Sequence, residues 1–221
     1  MSLRAVFLDM DGVIVDSELQ FKRLEGPLFR QLMPDWRDEF HKKIVGLGLG
    51  DLHAHLVREH GLKTEKHEFL QLCRGLAASV YNSQVSLADG LIEFLDHLAE
   101  RKIPVGVASS SPKEGIRMVL RRFRLESRFA TVASAEDAGA GKPSPAVYLL
   151  AARSVGADPK YCVAVEDSET GLRAALAAGM HSLAYRNGYN DEQDLSLAHG
   201  EIRGFRELTV GRLNDMLAAR L

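Results

Sequence analysis

The strongest constraint on the fold comes from short apolar segments that end in polar side chains. The segments are residues 5–8, 103–108 and 161–165, and the polar side chains that follow them are Asp9, Ser109 and Glu166. Uninterrupted apolar runs of this length are typical of strands buried on both faces of a parallel sheet. After residue 86 such strands alternate with helical patterns, which favours an α/β fold with crossover helices.

Residues 17–86 have a different pattern, with helical spacing of apolar side chains and no convincing strand. We therefore predict a Rossmann-like parallel-sheet core with helices on both faces, formed by residues 1–16 and 87–221. An all-α cap domain, residues 17–86, is inserted after the first strand. Pro27 is expected to kink or split the first cap helix. Residues 187–190 are interpreted as a surface turn, and residues 210–221 as a last helix.

Composition narrows the range of partners. The chain has 221 residues and a formal net charge of −2, so no global basic field favours nucleic acid or an anionic membrane. Cys73 and Cys162 form no CxxC pair, which is typical of reduced thiols. No apolar run approaches a membrane span, and residues 5–8 are too short for a secretory segment. We expect a cytoplasmic monomer.

The polar residues that follow the strands are expected to meet in one crevice, because ligands bind outside the carboxyl ends of parallel strands. Four carboxylates would lie there: Asp9, Asp11, Glu166 and Asp167. Like charges this close cannot all stay ionised without compensation. Mg²⁺, a hard cation that prefers oxygen ligands, would compensate these negative charges, and Lys142 supplies a second positive charge. Such a site suits a phosphoryl group, so the expected partner is a small phosphorylated metabolite.

The positions of these residues suggest their roles. Asp9, directly at a strand end, is the candidate nucleophile, and Asp11 is the candidate acid/base. Asp167 is expected to complete the metal site, with Glu166 behind it. The candidates for substrate binding are Ser109, the backbone N–H of Ser110, Lys142 and Glu18.

Each motif also has a simpler interpretation. Residues 9–12 fit an ordinary turn. The serines at 109–111 and the acids at 166–167 fit helix N-caps, and the prolines at 143 and 145 fit the first turn of a helix. Turns and caps do not explain why all four motifs occur in this order, three of them at the ends of apolar strands.

The motifs together resemble those of the haloacid dehalogenase superfamily, and the whole chain resembles its beta-phosphoglucomutase-like phosphatases. The matching segments are residues 9–17, 107–109, 141–145 and 165–171. The resemblance implies Asp9 as nucleophile, Asp11 as acid/base, and Ser109 and Lys142 on the phosphoryl group. It implies Mg²⁺ on Asp9, the backbone carbonyl of Asp11, and Asp167. It also implies a cap that closes over small substrates.

The same resemblance helps to choose among reactions. Branches that cleave C–halogen or C–P bonds lack an acid at the position of Asp11, so this residue favours phosphate esters. Sugar phosphomutases of this branch carry a His and an Arg in the cap, near the positions where this chain has Phe21 and Leu49. Neither Phe21 nor Leu49 supplies charge. A phosphatase acting on a small phosphomonoester, such as a sugar phosphate, is therefore the leading hypothesis. A sugar phosphomutase is the alternative, and a non-catalytic binding or regulatory protein is a third hypothesis.

The cap is also rich in cationic side chains. They are His41, Lys42, Lys43, His53, His55, Arg58, His60, Lys63, Lys66 and His67. His53 and His55 are two positions apart, a spacing that does not place both on one helical face, so a metal site there is disfavoured. We interpret the set as solvated surface, with one or two members within reach of a substrate.

Overall fold

The computed structural model describes residues 2–219, and a parallel sheet forms the centre of this part of the chain. Its six strands are β1 (Ala5–Leu8), β2 (Val105–Ser109), β3 (Thr131–Ser134), β4 (Cys162–Glu166), β5 (His181–Tyr185) and β6 (Gly200–Ile202). Their order is β3-β2-β1-β4-β5-β6, and every neighbouring pair is parallel. The first strand lies in the middle of the sheet, so the segment after it opens at the centre of the carboxyl edge.

A helical insert separates β1 from the rest of the sheet sequence, while its limits at residues 17 and 86 stay a prediction. Its helices are α1 (Glu18–Leu32), α2 (Leu49–His60) and α3 (Lys66–Asn82), with a 3₁₀ turn at Asp38–Lys43 between the first two. The insert has its own apolar cluster, in which the rings of Phe29 and Trp36 lie 4.9 Å apart, edge to face. Within residues 35–45 the helical structure is limited to that 3₁₀ turn.

Pro27 does not split the first insert helix, so that half of the expectation was wrong, while a kink at Pro27 stays a prediction. Helix α1 runs from Glu18 to Leu32 with Pro27 inside it. A proline clashes with the Cβ of the residue before it when that residue is helical. Here that residue is Gly26, which has no Cβ and is buried. The glycine therefore removes part of the clash and lets the helix continue.

Helices cover both faces of the sheet, as predicted. The core helices are α4 (Leu91–Glu100), α5 (Lys113–Arg122), α6 (Ala135–Ala138), α7 (Ala146–Ser154), α8 (Glu169–Ala177) and α9 (Val210–Ala218). Alternate side chains of β1 enter two different apolar clusters, with Val6 in one and Phe7 in the other. Of the last helix predicted at 210–221, residues 220 and 221 lie outside the described part. No helix within residues 2–219 has the length and apolar character needed to cross a bilayer.

The first turn of α8, just after β4, contains a tightly packed glycine, Gly171. The Ser168 hydroxyl caps α8 by accepting a hydrogen bond from the N–H of Gly171 at 3.1 Å. A Cβ on Gly171 would lie only 1.9 Å from Oε2 of Glu166, whose side chain is fully buried. The missing side chain therefore makes room for a carboxylate at the end of β4.

Replacing this glycine by alanine is expected to destabilise the fold. Gly171→Ala forces the buried Glu166 carboxylate to move, and overpacking of this kind costs about 1–3 kcal/mol. The matched control is Gly75→Ala, also inside a helix but exposed and with open space around the added Cβ. The control should gain about 0.5–1 kcal/mol from helix propensity. Urea denaturation of both variants measures the difference, and equal free energies of unfolding would contradict this account of the turn.

Candidate active site

Lys142 lies buried at the carboxyl edge of the sheet, between two carboxylates. Its side chain is 1% exposed, and Nζ donates hydrogen bonds to Oδ1 of Asp9 at 2.6 Å and to Oε1 of Glu166. The hydroxyl of Tyr148, from α7, also donates to Glu166 Oε1. Burial alone would lower the pKa of Lys142, but the charges of Asp9 and Glu166 outweigh it and raise the pKa. The ammonium therefore stays charged beside Asp9.

Asp9 and Asp11 occupy the turn that follows β1. The N–H of Asp9 donates to the carbonyl of Val165 at 3.1 Å, which continues the pairing of β1 with β4 by one residue. Gly12 then adopts a φ of +74°, a conformation that side chains other than hydrogen rarely allow. The strand pairing and the glycine turn together hold the two acids at the mouth of the crevice.

The carboxylate of Asp11 is surrounded by hydroxyl groups. Ser17 donates to Oδ1 at 2.6 Å, while Ser111 and Tyr81 donate to Oδ2 at 2.6 and 3.0 Å. Burial and the charge of Asp9 raise the pKa of Asp11 to about 6, against the opposing effect of the three hydroxyls. A carboxyl group with this pKa holds and releases a proton near neutral pH, which general acid–base chemistry requires.

Sequence reasoning missed the residues that hold Asp11. They come from three places: Ser17 from the start of the insert, Tyr81 from α3, and Ser111 from the loop after β2. The run of serines at 109–111 was a signal for Ser111. Ser17 lies inside a motif already singled out. Tyr81 gave no sequence signal, because it reaches Asp11 only through the packing of the insert on the core.

The two serines predicted to bind a phosphoryl group lie at the end of β2. Ser109 is 1% exposed, and its hydroxyl accepts a hydrogen bond from the N–H of Ser111 at 3.1 Å. The hydroxyl of Ser110 donates to the carbonyl of Gly46, in the insert, at 2.8 Å. The Ser110 side chain thus joins core and insert, while the phosphoryl contacts of both serines stay predictions.

Asp167 is held by two asparagines from the segment after β5. Asn187 donates to Asp167 Oδ2 at 2.8 Å, and Asn190 donates to the Asp167 backbone carbonyl at 2.8 Å. Asn190 is 5% exposed, so the interpretation of residues 187–190 as a surface turn was wrong for this residue. Asn187 and Asn190 follow directly after a strand, at the same edge of the sheet as Asp167. This position was the sequence signal that could have identified them. Burial, followed by the charges of Glu18 and Asp9, raises the pKa of Asp167 well above its usual range.

The carboxylates at this edge could hold a divalent cation. Oxygen atoms of Asp9, Glu166 and Asp167 all lie within 4.8 Å of one another. Burial raises the pKa of Glu166 to about 7 even though Lys142 opposes the shift, so these charges are incompletely compensated. Hard oxygen donors in this number fit Mg²⁺. Glu166 is already bound by Lys142 and Tyr148, and its expected position behind the metal ligands stays a prediction.

The crevice continues into the helical insert as a cavity of about 100 Å³. Glu18, at the start of α1, lines the cavity together with Phe21 and Leu49. Burial, and then the charges of Asp11 and Asp9, raise the pKa of Glu18 to about 8. The structure thus brings Glu18 to the same cavity as Asp9, Asp11, Ser109, Ser110, Lys142 and Asp167.

A family profile described as haloacid dehalogenase-like hydrolase matches residues 6–185. The chain belongs to this family. This haloacid dehalogenase-like hydrolase is 35% identical over 214 residues to hexitol phosphatase B of Escherichia coli (strain K12), covering 94% of this chain and 95% of that protein. It is 25% identical over 181 residues to a phosphorylated carbohydrates phosphatase of Thermotoga maritima, covering 82% and 84%. The resemblance inferred from the motifs is confirmed.

The fold of this haloacid dehalogenase-like hydrolase is also shared with a solved structure. Beta-phosphoglucomutase from Clostridium difficile superposes with a TM-score of 0.82 at 20% identity, covering 99% of this chain and 98% of the other. The superposition establishes a common fold. Because the sequence identity is low, the reaction has to be argued from the site.

Tyr81→Phe tests the hydroxyl cluster around Asp11. A hydrogen bond donated to a carboxylate stabilises the ionised form, so its loss should raise the pKa of Asp11 by about one unit. The limb of the pH–rate profile in which kcat/KM falls as Asp11 ionises should move to higher pH by the same amount. The ring still packs on Phe21, whose centroid lies 5.8 Å away. Tyr189→Phe, at an exposed tyrosine, is the control, and superimposable profiles would argue against this role of Tyr81.

Proposed function

We propose that the chain is a Mg²⁺-dependent phosphatase that hydrolyses a small phosphomonoester through a phosphoryl-aspartate on Asp9. One observation carries the proposal. Asp9 lies against the ammonium of Lys142, two positions from Asp11, a carboxyl whose pKa is raised to about 6. A nucleophile, a permanent cation and a proton donor therefore share one crevice, which is the set that phosphomonoester cleavage requires.

The first half-reaction transfers the phosphoryl group to the protein. A carboxylate oxygen of Asp9 attacks phosphorus, and the bond from phosphorus to the ester oxygen breaks. Protonated Asp11 gives its proton to that leaving oxygen, so the product departs as a neutral alcohol. Asp9 now carries the phosphoryl group as a mixed anhydride, and Asp11 is ionised.

The second half-reaction returns the protein to its starting state. Ionised Asp11 takes a proton from a water molecule, whose oxygen attacks phosphorus. The bond from phosphorus to Asp9 breaks, inorganic phosphate leaves, and Asp11 is protonated again. Because the same carboxyl group serves first as acid and then as base, a pKa near 6 suits both steps.

The surrounding groups bind and orient the phosphoryl group. Lys142 balances its charge, and Ser109 and the N–H of Ser110 are proposed to donate hydrogen bonds to its oxygens. Asp9, Asp167 and the backbone carbonyl of Asp11 are proposed to hold Mg²⁺, which when bound neutralises negative charge at the phosphoryl group. The family resemblance and the acidic cluster support this choice of metal.

The helical insert is proposed to act as a cap over this site, with the core formed by the residues on either side of it. Contacts already join the two parts: Ser110 bonds to Gly46, and Arg74 of α3 pairs with Glu136 of the core at 2.9 Å. Closure of such a cap excludes bulk water and positions the substrate. The monomeric state and the cytoplasmic location stay predictions from the sequence.

The apolar side chains at two cavity positions favour hydrolysis over a mutase reaction. Phe21 and Leu49 both line the cavity. A mutase must hold a bisphosphate with its second phosphate in the cap, and neither side chain supplies charge for that. The similarity to hexitol and carbohydrate phosphatases supports a sugar or polyol phosphate as substrate.

Asp9→Asn should reduce Mg²⁺-dependent release of phosphate from p-nitrophenyl phosphate at least about 10³-fold, because an amide is not a nucleophile toward phosphorus. The matched control is Asp35→Asn, at an exposed aspartate of the insert, which should keep full activity. Near-normal turnover in Asp9→Asn would rule out the phosphoryl-aspartate. A folded wild-type protein that hydrolyses no member of a broad phosphate panel would instead support the non-catalytic hypothesis.

Metal binding can be tested without turnover. A ligand at about 100 times its dissociation constant stabilises the folded state by about 2.7 kcal/mol. Mg²⁺ should therefore raise the Tm of the wild type by several degrees and leave the Tm of Asp167→Asn nearly unchanged. An equal rise in both proteins would show that Asp167 is not a ligand.

A further inference from the structure

One face of helix α1 forms a wall of the cavity. The lining residues from this helix are Glu18, Phe21, Glu25 and Phe29, and their spacing of three, four and four positions places them along one helical face. Ser17, just before the helix, bonds to Asp11, so the helix leads away from the catalytic acids. Seven residues of α-helix span about 10 Å. Glu25 therefore lies well beyond Glu18 along the cavity.

The insert end of the cavity offers no balancing positive charge. Among the described residues that line the cavity, Lys142 is the one Lys or Arg, and it is bound to Asp9 and Glu166. The facing wall is apolar and consists of Ile44, Val45, Leu47, Leu49 and Leu52. A substrate group with negative charge would meet Glu18 and Glu25 in the lining here, while Lys22, whose charge acts on His41, lies outside the lining.

Glu25 and His41 form a polar pair among these apolar lining residues. Nε2 of His41 lies 3.5 Å from Oε2 of Glu25, and both side chains are largely buried. Nδ1 of His41 is buried without a hydrogen-bond partner among residues 2–219. Because Nδ1 is enclosed, a ligand hydroxyl would bond to the partly exposed carboxyl group of Glu25, which lines the cavity beside His41.

The electrostatic surroundings of the pair agree with this picture. Burial, followed by the charges of Glu18 and Asp11, raises the pKa of Glu25 to about 8. Burial, followed by the charge of Lys22, lowers the pKa of His41, so the imidazole is not a cation at neutral pH. The raised pKa means that negative charge is costly at this end of the cavity, so an anionic ligand group there would be costly as well.

We propose that Glu25 and His41 form a specificity subsite that binds a neutral hydroxyl at the non-reacting end of the substrate and rejects a second anionic group there. The inference rests on the proposed phosphatase function and narrows its substrate to the monophosphate of a neutral polyol or sugar. Rejection follows because a buried carboxylate or phosphate at this end would have no cation to pair with.

The test uses phosphates that share a six-carbon chain and differ at carbon 1. They are glucitol 6-phosphate, gluconate 6-phosphate, glucitol 1,6-bisphosphate and 1-amino-1-deoxyglucitol 6-phosphate. We expect kcat/KM for glucitol 6-phosphate to exceed that for the two anionic compounds by about 100-fold. Three results would each overturn the proposal: ratios within about threefold, which correspond to about 0.65 kcal/mol, no turnover of glucitol 6-phosphate, or a preference for the amine.

Two further measurements separate this inference from the proposed function. Turnover of p-nitrophenyl phosphate reports the chemistry alone, and its absence would contradict the phosphatase. Calorimetric titration of Asp9→Asn with the four compounds and Mg²⁺ reports the subsite without turnover. Binding of the anionic compounds as tight as that of glucitol 6-phosphate would overturn the subsite, whatever the result with p-nitrophenyl phosphate.

Variants assign the selectivity to the pair. Glu25→Gln keeps the shape of the side chain and should reduce the ratio of glucitol to gluconate turnover at least about fivefold, mainly through KM. The matched control is Glu68→Gln, which makes the same change at an exposed position of α3 and should leave the ratio unchanged. A wild-type ratio in a folded Glu25→Gln protein would remove Glu25 from the subsite.

Discussion

The buried contact of Lys142 with Asp9 and Glu166 is the interaction on which the site depends. An ammonium that is 1% exposed is tolerable only because two carboxylates and their further hydrogen bonds surround it. Tyr148 completes the group by bonding to Glu166, and Gly171 leaves the space that Glu166 occupies. The sheet order makes this possible, since β1 and β4 are neighbours and end at the same edge. Fold and reactive centre are therefore specified by the same contacts.

A second set of contacts ties the acid/base to the helical insert. Tyr81 bonds to Asp11 through its hydroxyl, while its backbone carbonyl accepts a hydrogen bond from Arg122 of α5. Displacement of α3 would remove a hydrogen-bond donor from Asp11 and change its pKa. The position of the insert and the protonation of Asp11 are thus linked.

Much of this could be predicted from the sequence. The meeting of Asp9, Ser109 and Asp167 followed from the rule that parallel strands share a carboxyl edge. Other features depended on packing between distant segments: Tyr81 on Asp11, Asn190 on Asp167, and Glu25 beside His41. The spacing of apolar residues predicts which face of a helix is buried, but it does not predict which residues that face contacts. The unbroken α1 shows the same limit, because the effect of Pro27 depended on the glycine before it.

The charge balance of the cavity connects the chemistry with the selectivity. Asp9, Asp11, Glu18, Glu25 and Asp167 line it, against one lysine. A substrate phosphate adds further negative charge, which only a divalent cation at the acidic cluster and Lys142 can offset. Both cations would lie at the sheet edge, where the proposed function places the reacting phosphate. The proposed subsite then receives the remainder of the substrate along α1, where the described lining residues include no lysine or arginine to pair with a second anionic group.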